Sequence, residues 1–197
     1  MTTEESDVRV YYRVILKVMA LLGILALFSA MISGFLSEPR TRHVLTKSVD
    51  ITSLAPGEML EVEWSGRPVV VLRRSEAMAA ADAAFAEGLY DPGSRFSQQP
   101  RAYRNAHRSA APDVFVAFAI GTDLGCRLDG VPPETAAEQG WGGGFVDRCR
   151  GGRYDFAGRV HDGQTARRNL EVPDYRLHPD GRVILGEAPE MTAEEGF

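Results

Sequence analysis

"GTDLGC" (Gly121–Cys126) and "DRCRGG" (Asp147–Gly152) are the stretches whose reading decides the fold. Each sets one cysteine among glycines and charged residues, and the chain has no other cysteine. "VFVAFAIG" delivers the chain to the first stretch and "GGGFVDRC" to the second. Both cysteines therefore sit in glycine-flanked loops at strand ends. Loops on adjacent strands can bring two sulfurs within bonding distance. The residues alone leave three readings open: a disulfide, a metal site, or the remains of one.

Working outward, the chain has 197 residues, enough for one domain plus a membrane element. Its 22 basic and 27 acidic residues give a net charge of −5. That balance argues against a nucleic-acid partner, which calls for a basic face. Twenty glycines and eleven prolines imply many turns and a β-rich soluble part. Two cysteines are too few for a four-cysteine zinc site or an all-cysteine iron–sulfur cluster. Whether they pair depends on the compartment.

Residues 14–36, "VILKVMALLGILALFSAMISGFL", predict a transmembrane helix. No charge occurs from Val18 to Leu36, and about 1.5 Å per residue nearly spans a hydrocarbon core about 30 Å thick. The run is too long for the apolar part of a signal peptide, and "GFLSEPRTR" at its end is a poor cleavage site. Arg9, Arg13 and Lys17 on one side nearly balance Arg40, Arg42 and Lys47 on the other, so charge alone does not orient it. Ala26, Ala30 and Gly34 form a small-residue row against which a neighbouring helix could pack. Residues 1–13 then make a cytoplasmic N-terminus and 37–48 a polar tether.

From Val49 the pattern becomes strand and turn. Leu60, Val62 and Trp64 alternate with Glu61 and Glu63, which marks a strand with one wet face. "RPVVVLRRS" and "VFVAFAIG" read as apolar strands, and "HPDG" as the turn of a last hairpin. "SEAMAAADAAFAEGLYDP" reads as a short helix ending at Gly88. "RYDFAGRV" and "NLEVPDYRLHPDGRVILG" add further strands, and an acidic tail runs from Glu187.

No catalytic constellation stands out. His43, His107, His161 and His178 are scattered, and there is no nucleophile elbow, phosphate loop or dinucleotide fingerprint. "GWGGGF" lacks the helix and Lys-Ser/Thr a phosphate loop needs, so its glycines read as structural.

From about Val49 to Gly186 the sequence resembles the Rieske iron–sulfur subunit of the cytochrome bc1 complex, ubiquinol–cytochrome c reductase. "VDITSLAPGEMLEVEWSGRPVVVLRR", "DPGSRFSQQPRAYRNAHRS", "FVAFAIGTDLGC", "CRGGRYDFAGRV" and the closing strands carry the likeness. The resemblance implies an all-β Rieske-like domain over 49–186, of antiparallel sheets with one short helix insertion. It sits on a single N-terminal transmembrane helix, with residues 119–160 as the cluster-binding part and 187–197 as the tail.

In that family the loops read C-T-H-L-G-C and C-P-C-H-G-S. The first cysteine and the histidine of each bind a [2Fe–2S] cluster, and the remaining two cysteines form a disulfide. The resemblance thus pairs Cys126 with Cys149 and sets Gly121, Asp123, Asp147 and Arg150 at the four ligand positions. Gly152 stands at the cluster-bonding serine, Tyr154 is kept, and the G-P-A-P cover loop stands as Gly163-Gln164-Thr165-Ala166. A Rieske centre needs two thiolates and two imidazoles. Glycine has no donor atom, and a guanidinium has no lone pair to give. The expectation drawn from the side chains is therefore a degenerate member with no cofactor. An Asp123–Arg150 ion pair would replace the cluster as cross-link, with Asp147 sharing Arg150 or Arg148.

Family members from bacteria usually carry a twin-arginine export signal, whereas Arg9 and Arg13 are separated here. The implied location is the bacterial inner membrane, single-pass, with the soluble domain in the periplasm. The implied partners are cytochrome b-type and other bc1 subunits. The expected function is an accessory, structural or assembly subunit of a bc1-type complex, without catalytic or redox activity of its own. The alternative is the electron-transfer subunit itself; the third reading is a free-standing enzyme or ligand-binding domain using the vacated pocket.

Overall fold

The computed structural model describes residues 4–36 and 45–189. Most of the expected tether and of the acidic tail lies outside them. The chain divides into two units.

The first unit holds one helix, α1 (Glu4–Leu36). Among the described residues it is the one helix long and apolar enough to cross a membrane, a property that Tyr11–Ser29 carries. None of that stretch is buried against protein. The side chains of Ala30 and Gly34 lie outside the described residues.

The second unit is built from three antiparallel three-stranded sheets. The first runs β1 (Lys47–Asp50), β9 (Arg182–Leu185), β8 (Tyr175–Leu177). The second runs β2 (Met59–Trp64), β3 (Arg67–Arg73), β4 (Val114–Phe118). The third runs β5 (Leu128–Val131), β6 (Gly144–Asp147), β7 (Arg153–Tyr154), and it carries both cysteine loops. The alternation in β2 appears in its second half: Val62 and Trp64 pack on the core while Glu61 and Glu63 face water, but Leu60, expected on the same face as Val62, is exposed. Strands β3 and β4 are buried almost throughout, as apolar runs between two layers should be. Helix α2 (Glu76–Ala84) starts at Ser75, whose hydroxyl accepts the Met78 amide at 3.3 Å.

Two sequence expectations change. "RYDFAGRV" is strand only at Arg153–Tyr154. Beyond it Asp155 accepts the amides of Ala157 at 3.0 Å and Arg159 at 2.7 Å, which bends the backbone into a turn. Strand β5 and the short α3 (Pro133–Ala137) were not expected. "LDGV" is a strand because β6 pairs with it, not because its own pattern alternates.

The polar segment 93–113 is irregular but held by side-chain hydrogen bonds. Arg108 has a positive φ of 52° and is 1% exposed. It donates to Gln99 Oε1 at 2.7 Å and to the carbonyls of Ala157 at 2.9 Å, Gly158 at 3.0 Å and Leu170 at 2.7 Å. Burial lowers its pKa to about 10, so it stays charged at neutral pH. Arg108→Ala should cost about 3 kcal/mol or more, since it strands three buried carbonyls. The check is a urea midpoint for the whole chain in detergent; an unchanged midpoint would show that the guanidinium carries little.

Helix α2 meets the 155–159 turn through Asp82, whose Oδ1 accepts the Phe156 amide at 3.0 Å. Burial, and then the neighbouring Asp155, push the Asp82 carboxyl up from 3.8 to about 7. The folded chain thus holds this proton more tightly than the unfolded chain. Asp82's contribution to stability is full below about pH 4 and is lost as pH rises through about pH 7. Asp82→Asn, which keeps an acceptor for Phe156, should flatten the stability profile across that window. Denaturant midpoints measured along a pH series test it.

Candidate functional site

The tip is made by the loop between β4 and β5 and the loop between β6 and β7. The first closes on itself: Gly121 N donates to Cys126 O at 2.8 Å, and Gly125 N to Gly121 O at 3.1 Å. Gly125 takes a φ of 72° there, which favours glycine. The second closes with Gly151 N to Asp147 O at 2.8 Å and Asp147 N to Gly152 O at 2.9 Å, with Gly151 at φ 68°. Arg148 N bonds Arg127 O at 3.1 Å and ties one loop to the other.

Cys126 and Cys149 are joined in a disulfide, with Cα atoms 6.1 Å apart. The other four positions fall into two pairs. Gly121 and Asp147 lie in the interior. Asp147 is 2% exposed, and its Oδ1 accepts the amides of Cys149 at 2.6 Å and Arg150 at 3.2 Å. Its Oδ2 occupies the space a side chain at 121 would need: a Cβ there would lie 2.5 Å from it. Asp147 thus leaves room only for glycine at 121 unless its carboxylate shifts. Asp123 and Arg150 lie outside. Their charged atoms are 3.6 Å apart, and the side chains are 23% and 51% exposed. Such a pair contributes about 0–1 kcal/mol. Arg148 pairs with Asp129 at the surface and Asp147 bonds backbone amides, so Asp147 shares neither arginine through a salt bridge among the described residues.

A third segment supports the tip. The Tyr154 hydroxyl accepts the Thr122 amide at 3.0 Å, and burial pushes the phenol's pKa up. Thr122 Oγ1 donates to Arg168 O at 2.6 Å, which joins the first loop to the stretch after Gly163-Gln164-Thr165-Ala166. Thr122 was missed in the sequence; its place beside Gly121 was the available signal. Beside the first loop lies a polar cavity of about 290 Å³ lined by Arg67, Gln98, Thr122, Asp123, Arg168 and Glu171. Arg67 and Glu171 are already paired across it at 3.1 and 2.7 Å.

A helix long and apolar enough to cross a membrane, with an all-β unit whose tip is two disulfide-bridged loops, defines the class: a Rieske-like domain on an N-terminal helix. Comparison with known proteins makes it specific. The ubiquinol–cytochrome c reductase iron–sulfur subunit of Allochromatium vinosum is 39% identical over 142 residues, which cover 70% of this chain and 68% of the relative. The mitochondrial cytochrome b-c1 complex subunit Rieske-4 of Nicotiana tabacum is 32% identical over 139 residues, covering 70% of this chain and 51% of the relative. A chain of a hyperthermophilic respiratory Complex III superposes with a TM-score of 0.44 at 17% identity, covering 85% of this chain and 96% of that one. No family model matches. The chain belongs to the family of Rieske iron–sulfur subunits of ubiquinol–cytochrome c reductase. It spans about two thirds of the bacterial relative's length and about half of the tobacco one.

This corrects the expectation of no cofactor. That expectation came from four side chains, whereas the relatives are iron–sulfur subunits, so the family points to a [2Fe–2S] cofactor. The described tip does not itself supply the two thiolates and two imidazoles of such a centre. Both sulfurs are in the disulfide, Gly121 has no donor, Asp147 is turned onto backbone amides, and Arg150 faces Asp123. No step of a mechanism is derived through a cluster at these residues.

The packing of Asp147 against Gly121 generates a double-mutant test. The φ of Gly121 is not left-handed, so only space forbids a side chain there. Gly121→Ala should cost about 1–3 kcal/mol by overpacking. In an Asp147→Ala background the same change should cost clearly less, a coupling of about 0.5–3 kcal/mol. Additive urea midpoints would show that the two positions do not compete for one space.

Proposed function

We propose that the chain is a membrane-anchored accessory subunit of a bc1-type respiratory complex, serving it structurally or in assembly. The observation that carries this is the closed tip. Disulfide, Asp147 and the Tyr154–Thr122 bond hold both loops with the protein's own groups. The partners proposed are cytochrome b-type and other bc1 subunits, on the strength of the relatives' names. The proposed location is a bacterial inner membrane, single-pass, with the domain in the periplasm. Helix α1 supports the anchor, and a disulfide suits an oxidising compartment. The proposed limits are 1–13, 14–36, 37–48, 49–186 and 187–197, with 119–160 forming the tip.

A second reading, the electron-transfer subunit, is favoured by the 39% identity to an iron–sulfur subunit. One preparation separates the two. The tagged chain is purified from native membranes in mild detergent, and the complex is compared with that of a deletion strain. The accessory role expects co-eluting cytochrome b, less assembled complex after deletion, and unchanged quinol–cytochrome c turnover per complex. Turnover lost together with a rhombic EPR signal that tracks this chain would establish the second reading instead. A chain that elutes alone would overturn both.

A further inference from the structure

Three ligand-type atoms meet beneath the tip. The sulfurs of Cys126 and Cys149 and a carboxylate oxygen of Asp147 all lie within 4.8 Å of one another. Two of them are joined in the disulfide. Cys149 is exposed, so a reductant can reach the bond, while Asp147 is buried and held in place. The geometry points to a second state of this tip: once a dithiol reduces Cys126–Cys149, the two thiolates and the Asp147 carboxylate bind a divalent, borderline-soft cation of the Zn²⁺ class. The site is made of the disulfide cysteines and Asp147, with no contribution from Gly121, Asp123 or Arg150.

The chemistry balances. The dithiol supplies two electrons and two protons, the S–S bond breaks, and the dithiol closes to its own disulfide. The two thiols then release two protons to water as they bind the cation. Two sulfurs and one oxygen, with water in the fourth place, suit tetrahedral zinc. Zinc–sulfur bonds of about 2.3 Å set the sulfurs about 3.8 Å apart, so they part by under about 2 Å from the bonded state. Side-chain rotation supplies that movement at a Cα separation of 6.1 Å. The Cys149 and Arg150 amides hold Asp147 Oδ1 in place, and the sulfurs and this carboxylate close on the cation from within 4.8 Å of one another. Two guanidiniums flank Cys149 on the same turn, and each meets a carboxylate: Arg148 pairs with Asp129 and Arg150 with Asp123.

The test uses the full chain in detergent, reduced anaerobically with a dithiol, desalted, and titrated with Co²⁺ as a coloured stand-in for Zn²⁺. One equivalent should bind with a sulfur-to-cobalt charge-transfer band, and Zn²⁺ should displace it. The unreduced chain should show no band. Asp147→Asn, which keeps an acceptor for the two amides, should weaken binding at least about tenfold. A reduced, folded chain with no band overturns the inference, and so does binding indifferent to Asp147→Asn. Loss of the β-sheet circular dichroism on reduction overturns it as well, because the folded tip then has no reduced state.

Discussion

Gln99 and the carbonyls of Ala157, Gly158 and Leu170 all accept from the guanidinium of Arg108, which has almost no contact with water. A buried charge is tolerated only when its donors are met, so these segments must be placed together or not at all. The constraint spreads from there. At Gly158 a Cβ would meet the Phe115 ring at 2.6 Å and Arg108 Nη1 at 3.1 Å, and the φ is 68°. The 155–159 turn is thereby pinned between the core and the guanidinium. Tyr154 lies just before that turn, and its hydroxyl holds the Thr122 amide. Asn169 lies just before Leu170 and ties Val160 to the Asp91–Ser94 turn through Oδ1 and Nδ2. The tip therefore hangs from a frame centred on one arginine in the polar segment.

The strands around this frame were largely legible in the sequence, whereas the Arg108 bonds at its centre were not, and the illegible parts share a cause. Strands β2, β3 and β4 and helix α2 announce themselves by alternation, by unbroken apolar runs or by a serine cap, all local signals. Strand β5 does not: "LDGV" has a glycine in its middle and takes strand form only by pairing with β6. The early end of "RYDFAGRV" comes from one aspartate turning to the backbone. At the tip, resemblance singled out Gly121, Asp123, Asp147 and Arg150, but no spacing rule tells which of them exchange space. Asp147 filling the place beside Gly121 is a fact of the third dimension across 26 positions. The cofactor expectation erred differently. It read donor chemistry from side chains alone, and the relatives bring an iron–sulfur family to the same fold.

The tip divides by depth into an inner half that sets its shape and an outer half that does not. The disulfide closes a loop of 23 positions, worth about 3 kcal/mol on a chain-entropy account. The two amide bonds to Asp147 add about 1 kcal/mol each. Asp123 and Arg150 face water, and their pair is worth about 0–1 kcal/mol. The outer side chains can therefore change with little effect on folding, while the inner ones must change in concert. Gly121 with Asp147 is such a concerted pair: an added side chain at one is blocked by the carboxylate of the other. Stability at this tip thus depends on Cys126, Cys149, Asp147 and the glycine that makes room for it. What the tip presents to its surroundings is set separately, by Asp123, Arg150 and the exposed Leu124 between the two loop glycines. A fold can keep the first set while the second varies, which is why membership of a family fixes the scaffold and leaves the function to be argued from the site.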